Sequence, residues 1–183
     1  IDLFSMRLTE TIGIDPQQRI LLECALHVRA CLPNTQFSKE CGVIVGISST
    51  DYSTVTASQG KLQATGGSLS VACGRISFTF NLRGICTSID TACSSSLVGS
   101  HVSCRAVRDH ESDEILSCGI NITLSPMTTH VFRSAGMLAD DGRCKTLDMS
   151  ANGYVRSEGS VVLLVTNDGG QIKAVSCSFQ ISA

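Results

Sequence analysis

Residues 88–97 read "SIDTACSSSL", and how this stretch is read decides the fold. "TSIDTA" has the short, β-branched character of a strand. "SSSLVGSHVSCRAVRDH" reads as a helix, with apolar positions 97, 98, 102 and 106 sharing one face. With the strand ending near Ala92 and the helix beginning at Cys93, a thiol stands at a helix N-terminus. Unsatisfied N–H groups and the positive end of the helix dipole both favour a thiolate there. Ser94, Ser95 and Ser96 keep the helix start small and polar and can cap its free N–H groups. Asp90 and Thr91 supply polar anchors just before the turn. A hydrolase elbow requires G-x-S-x-G, and no glycine flanks this site before Gly99. Spacing alone leaves two readings open: a nucleophile suited to a thioester carbonyl, or a buried cysteine at a capped helix start.

Working outward, strands and helices alternate. Asp15-Pro16-Gln17-Gln18 opens a helix, with Asp15 as N-cap, Pro16 at the first helical position and Gln18 at the capping-box position. This helix runs through "RILLECALHVRACL" and stops near Pro33-Asn34. It is apolar around most of its circumference, as expected of a helix packed on more than one side. "CGVIVGIS" at 41–48 and "EILSCGINI" at 114–122 read as strands buried on both faces. Residues 49–70 are rich in Ser, Thr and Gly and read as loop or short helices. "RISFTFNLRG" reads as a helical turn ending near Gly84, "HVFRSAGML" as a short helix, and "ADDGR" as a turn. "GYVRSEGSVVLLVTND" and "QIKAVSCSFQI" form a closing strand pair joined through Asp168-Gly169-Gly170. The class is α/β with a mixed sheet.

The chain has 183 residues, enough for one domain with a sizeable core, and 43% of them are hydrophobic. Its net charge of -2 carries no basic block for nucleic acid and no acidic tail. The longest apolar runs, such as "VVLLV" at 161–165, are strand-sized and far below the roughly 18 residues of a membrane span. No signal peptide is recognisable, so a cytoplasmic location is expected, and the start at Ile1 points to a natural start further upstream. Ten cysteines show no C-x-x-C pair and no zinc-finger spacing to histidine. Most sit inside apolar runs, where cysteine serves as a small hydrophobe. Nine are read as packing or surface residues, and Cys93 is set apart. Asn121-Ile122-Thr123 matches a glycosylation sequon but falls in a buried strand, and Asp140-Asp141-Gly142 lacks the other ligands of a calcium loop. Arg156 and Glu158 flank Ser157 and can pair with each other structurally.

Five stretches carry a resemblance: "DPQQRILLE", "DTACSSSLVGSH", "LSPMTTHVFRSAGML", "DDGRCKTLD" and "NGYVRSEGSVVLLV". Together, in this order and spacing, they resemble the ketosynthase (β-ketoacyl synthase) domain of type I polyketide synthases, from about Phe4 to about Ser178. The fatty acid synthase ketosynthase is the nearest neighbour, and a non-catalytic thiolase-fold partner or an inactive fragment are the rival readings. The resemblance implies a thiolase-like fold, an αβαβα layered sandwich, of which residues 1–183 would be a partial domain, mostly the N-terminal half. It implies acyl transfer from a phosphopantetheine thioester to Cys93, then decarboxylative Claisen condensation with a malonyl-type extender. Cys93 is then the nucleophile, and its backbone N–H half of the oxyanion hole. No cofactor or metal is implied; substrates arrive on the phosphopantetheine of an acyl carrier protein. A homodimer is implied, with "CTSID" near its two-fold axis.

The family also uses two histidines, in motifs resembling H-G-T-G-T and N-I-G-H, and neither motif is present. His27, His101, His110 and His130 lie in other contexts, and no catalytic role carries over to them. The expectation is therefore an N-terminal half truncated at both ends, competent for self-acylation but not for decarboxylative condensation.

Overall fold

The computed structural model describes residues 4, 6–32, 34, 36–49, 51–56, 65–168 and 171–179. It contains helices α1 (Leu8–Ile12), α2 (Pro16–Ala30), α3 (Asp51–Thr56), α4 (Leu69–Thr79), α5 (Ser95–Arg108) and α6 (Pro126–Ser134). The strands are β1 (Gly42–Gly46), β2 (Cys86–Ile89), β3 (Glu114–Asn121), β4 (Gly159–Asp168) and β5 (Gln171–Phe179). They form one mixed sheet in the order β2-β1-β3-β4-β5. The first three strands are parallel, and β4 and β5 are antiparallel to their neighbours. The α/β class and mixed sheet expected from the sequence are both present.

Strand alternation divides the sheet into two faces. On one face Val43, Val45, Leu116, Cys118, Val162 and Leu164 meet α2 and α4 in a large apolar core. On the other, Ile44, Ile115 and Val165 meet Ala106 and Val107 of α5 in a smaller one. The described residues thus build three layers, α–β–α, of the expected sandwich.

Asp15 caps α2 as expected, its carboxylate accepting the Gln17 N–H at 2.8 Å, with Pro16 in the first turn. Burial pushes its carboxyl above the ordinary carboxylate range, against the opposing pull of the Gln17 bonds. Gln18 does not close a capping box. Its side chain donates to the Ser68 carbonyl at 3.1 Å and accepts from Arg75, joining α2 to α4. The α2 helix ends at Ala30, short of Pro33.

Helix α4 starts earlier than its sequence suggested, at Leu69, and stops at Thr79. It stops there because Asn81 takes φ 54°, so Asn81 N–H reaches Phe78 O and Leu82 N–H reaches Ser77 O. This is a Schellman closure, and asparagine is among the few residues that tolerate its left-handed position. α5 closes the same way with His110 at φ 59°, and α6 with Gly136 at φ 70°. His110 is accordingly a helix-stop residue.

Two further readings change. Strand β4 begins at Gly159 rather than near Gly153, and Tyr154 makes only an isolated bridge to Leu138. Gly169 and Gly170, expected to join β4 to β5, lie outside the described residues, as does part of the 49–70 loop that contains α3. No helix is long and apolar enough to cross a membrane, and no metal-holding cluster occurs, among the described residues.

Candidate active site

The parallel strands β1, β2 and β3 all end on the same side of the sheet, where α/β folds hold their ligands. Cys93 stands there, exposed to solvent. The α-helix does not begin at this cysteine. Residues Ala92–Ser94 form a 3₁₀ turn, and α5 starts at Ser95, so the thiol sits on a turn between β2 and the helix.

Local hydroxyl bonds explain the delay, because Ser, Thr and Asp side chains compete with helix bonding at such positions. Asp90 Oδ1 accepts the Ala92 N–H at 2.9 Å. Ser95 Oγ accepts the Thr91 N–H at 2.9 Å and donates to the Ala92 carbonyl at 2.7 Å. Ser94 Oγ donates to the Thr91 carbonyl at 2.9 Å. These bonds hold Ala92 at φ 53°, a left-handed conformation that costs an L-residue about 1–2 kcal/mol. Serines 94 and 95 thus serve as fasteners that fix the turn carrying Cys93.

Ser96 has a different part, set by two glycines that the sequence reading did not single out. Gly46 of β1 and Gly119 of β3 are partners in register. A Cβ at Gly46 would lie 2.6 Å from the Ser95 carbonyl and the Ser96 Cα; one at Gly119 would lie 2.7 Å from the Ser96 Cβ. The first turn of α5 therefore rests directly on bare backbone. The signal was available in the sequence: each glycine interrupts a run that reads as a buried strand, and a glycine inside a strand marks a close backbone approach.

The buried face of α5 differs from the expected one. Ser95, Gly99, Ser103, Ala106 and Val107 face the sheet, while Leu97 is 73% exposed and Val102 is also exposed. Small residues turn inward because the glycine floor leaves no room for large ones.

Beside Cys93 opens a cavity of about 670 Å³. Gly46, Gly119, Phe132, Tyr154 and Arg156 are among its lining residues, and none of the four histidines is. Arg156 and Glu158 do not pair with each other. Glu158 accepts the Thr123 N–H at 2.7 Å, whereas Arg156 Nη2 lies 3.9 Å from Asp51 Oδ2. Asp51, only 4% exposed, also accepts from Leu124 N–H, Ser125 N–H and the Thr128 hydroxyl. Burial alone would raise its carboxyl, but these bonds, Thr128 first, and the Arg156 charge bring it below the ordinary range.

Four other cysteines, Cys24, Cys41, Cys73 and Cys118, are buried packing residues. Burial pushes Cys41 up to about 12 and Cys118 higher still. Cys86 is exposed, yet partial burial and its hydrogen bond with Cys73 push it up to about 11. Cys177 lies in a part of β5 where only the backbone is described. Asp140 and Asp141 take part in surface ion pairs with Arg133 and Lys145.

A thiol on a fixed turn at the carboxyl ends of parallel strands, facing a cavity, fits the thiolase-like class of condensing domains. The family model "Beta-ketoacyl synthase, N-terminal domain" matches residues 2–168, and the chain belongs to that family. Among curated proteins, a component of the phenolphthiocerol/phthiocerol polyketide synthase of Mycobacterium tuberculosis is 39% identical over 191 residues, covering 95% of this chain and 9% of that protein. The phthioceranic/hydroxyphthioceranic acid synthase of Mycobacterium bovis is 35% identical, with the same shares covered. Among solved structures, the ketosynthase from module 6 of the bacillaene synthase of Bacillus subtilis 168 superposes with a TM-score of 0.78 at 36% identity. That match covers 90% of this chain and 29% of the bacillaene domain. The oxazolomycin ketosynthase domain of Streptomyces albus JA3453 gives a TM-score of 0.77 at 33% identity, covering 89% and 29%. The chain thus spans about a tenth of these synthases and under a third of the solved ketosynthase chains.

Proposed function

We propose that the chain supplies the nucleophile half of a polyketide β-ketoacyl synthase, with Cys93 as its acyl-carrying residue. The observation that carries this reading is the exposed Cys93 thiol, held on a hydroxyl-fastened turn at the mouth of the cavity. In the first step the Cys93 sulfur attacks the carbonyl of an acyl phosphopantetheine thioester. The carbonyl oxygen becomes an oxyanion, for which the Cys93 backbone N–H is one donor. Collapse of the adduct expels the pantetheine thiol and leaves the acyl group on sulfur.

In the second step a malonyl-type extender loses CO2, and its α-carbon attacks the acyl carbon. The Cys93 thiolate leaves, and a β-ketoacyl thioester forms on the carrier. This step draws on the two family histidines, whose motifs this sequence does not contain. Matches to polyketide synthases put polyketide assembly ahead of fatty acid synthesis.

The partner delivering both thioesters is an acyl carrier protein, whose phosphopantetheine is substrate carrier and not a resident cofactor. A second copy of the chain is the other partner. β2 is the outer strand of the sheet, with Cys86 and Thr87 exposed, and an open edge strand invites pairing. A cytoplasmic setting accords with thioester chemistry and with the exposed free thiols of Cys31, Cys93 and Cys144.

Incubation of the chain with an acyl N-acetylcysteamine thioester, followed by intact-mass and peptide mass spectrometry, tests the reading. One acyl group on Cys93, absent from Cys93→Ala, is the expected result. Acyl groups spread evenly over the cysteines would overturn it.

A further inference from the structure

One wall of the cavity beside Cys93 brings together two separate parts of the chain. Phe132 of α6 and the segment Tyr154–Glu158 both line that wall. Among the described residues the segment's only bridge is that of Tyr154 to Leu138, and its far end is held by Asn121 Nδ2 donating to Ser157 O and Thr123 N–H donating to Glu158. Arg156 ties the two parts together. Its guanidinium carbon lies 5.4 Å from the centroid of the Phe132 ring, and Nη1 donates to Thr129 Oγ1 at 2.9 Å. Nη2 faces Asp51, and the Arg156 side chain is only 11% exposed.

Asp51 serves both sides of this arrangement. The same carboxylate takes the Leu124 and Ser125 N–H groups at 3.1 Å and the Thr128 hydroxyl at 2.7 Å. It therefore fixes the start of α6 and the cation that reaches across to the middle of α6. Only a planar guanidinium can stack on a ring, bond a hydroxyl in its own plane and face a carboxylate at once; an ammonium cannot meet all three demands.

We propose that Arg156 is a specificity-determining positioning residue: through Phe132 it sets the depth of the cavity facing Cys93 and so the size of acyl group that Cys93 accepts. The proposal deepens the reading of Cys93 as an acyl site and rests on it. A simple structural ion pair would stabilise the fold and leave selection by size untouched.

The test measures single-turnover acylation of Cys93 by N-acetylcysteamine thioesters of increasing chain length. Wild type is compared with Arg156→Met, Arg156→Lys, Phe132→Leu and the Arg156→Met/Phe132→Leu double variant. Arg156→Met is expected to change the ratio of long-chain to short-chain rates by on the order of tenfold, the discrimination one methylene meets in an apolar pocket. Arg156→Lys should fail to restore the ratio. In the Phe132→Leu background, Arg156→Met should add nothing. An unchanged ratio, an equal slowing of all chain lengths, or full rescue by lysine would each overturn the proposal.

A parallel series with N-alkylmaleimides of graded size needs only an accessible thiol at Cys93. If wild type takes maleimides but no thioester, the acyl-site reading fails, and the maleimide ratios still decide whether Arg156 sets the wall. Circular dichroism of every variant identifies any that does not fold, and Arg156→Lys supplies a second, milder disturbance of the same contact.

Discussion

On one face of the sheet, α2 and α4 bury Leu21, Leu22, Val28, Ile76 and Leu116 with almost no exposure, and packing there is dense and apolar. On the other, α5 meets the sheet through a gradient. Ala106 and Val107 at its far end rest on Ile44, Ile115 and Val165. Towards Cys93 the contacts shrink to Gly46, Gly119, Ser95, Ser96 and Gly99, with the hydroxyls of Ser100 and Ser117 sharing a 3.3 Å bond between helix and strand. The first face holds the fold by area removed from water. The second gives up that area to bring a helix start within contact of bare backbone, and position is what it gains.

If the two faces differ in this way, substitutions on them should separate stability from chemistry. Leu116→Ala, on the sealed face, should cost about 2–5 kcal/mol in urea unfolding, as large-to-small changes in a filled core do. Any folded fraction should still acylate Cys93. Gly119→Ala should cost less, about 1–3 kcal/mol for overpacking, yet acylation of Cys93 should fall by an order of magnitude or more because the turn must shift. Equal losses of rate for the two variants would break the comparison.

Asp51 joins the site wall to the body of the fold, and acid should reveal it. Its carboxyl is held below the unfolded value of about 3.9, so its stabilisation is complete above that pH and disappears as pH falls through the folded value. Wild type should exceed Asp51→Asn by about 1–3 kcal/mol near pH 6, and the gap should close as the pH drops below about 4. Denaturant melts of both proteins across this range give the answer. The smallest effect concerns the open edge of the sheet. At pH 7.5 Cys86 should be alkylated last among the exposed cysteines, since its thiol is pushed up to about 11, and its rate should climb as the pH approaches 10. Early alkylation of Cys86 would count against that account of the edge.

Much of the first face was legible in the sequence. Continuous apolar runs at 41–48 and 114–122 announced buried strands, and Asp15-Pro16 announced the start of α2. The strand-to-helix junction that carries Cys93 was legible too, although the helix starts two residues later than expected, at Ser95. The inward face of α5 was not: apolar periodicity points to Leu97 and Val102, whereas close backbone approach selects Ser95, Gly99 and Ser103. Nor was the left-handed Ala92, because alanine gives no turn signal and the bonds that hold it come from neighbours' side chains. The Asp51–Arg156 contact joins residues distant in the chain, and no local pattern foretells a partner of that kind.

Ala92 also raises a question of handedness. A residue of the opposite chirality adopts a positive φ without the crowding that an L-side chain meets there, and d-alanine keeps the same methyl group. The next residue is a cysteine, so the chain can be divided at that peptide bond and rejoined by thioester–cysteine ligation. A single inverted α-carbon at position 92 would then relieve the turn of its strain while leaving every side chain around the Cys93 thiol chemically unchanged.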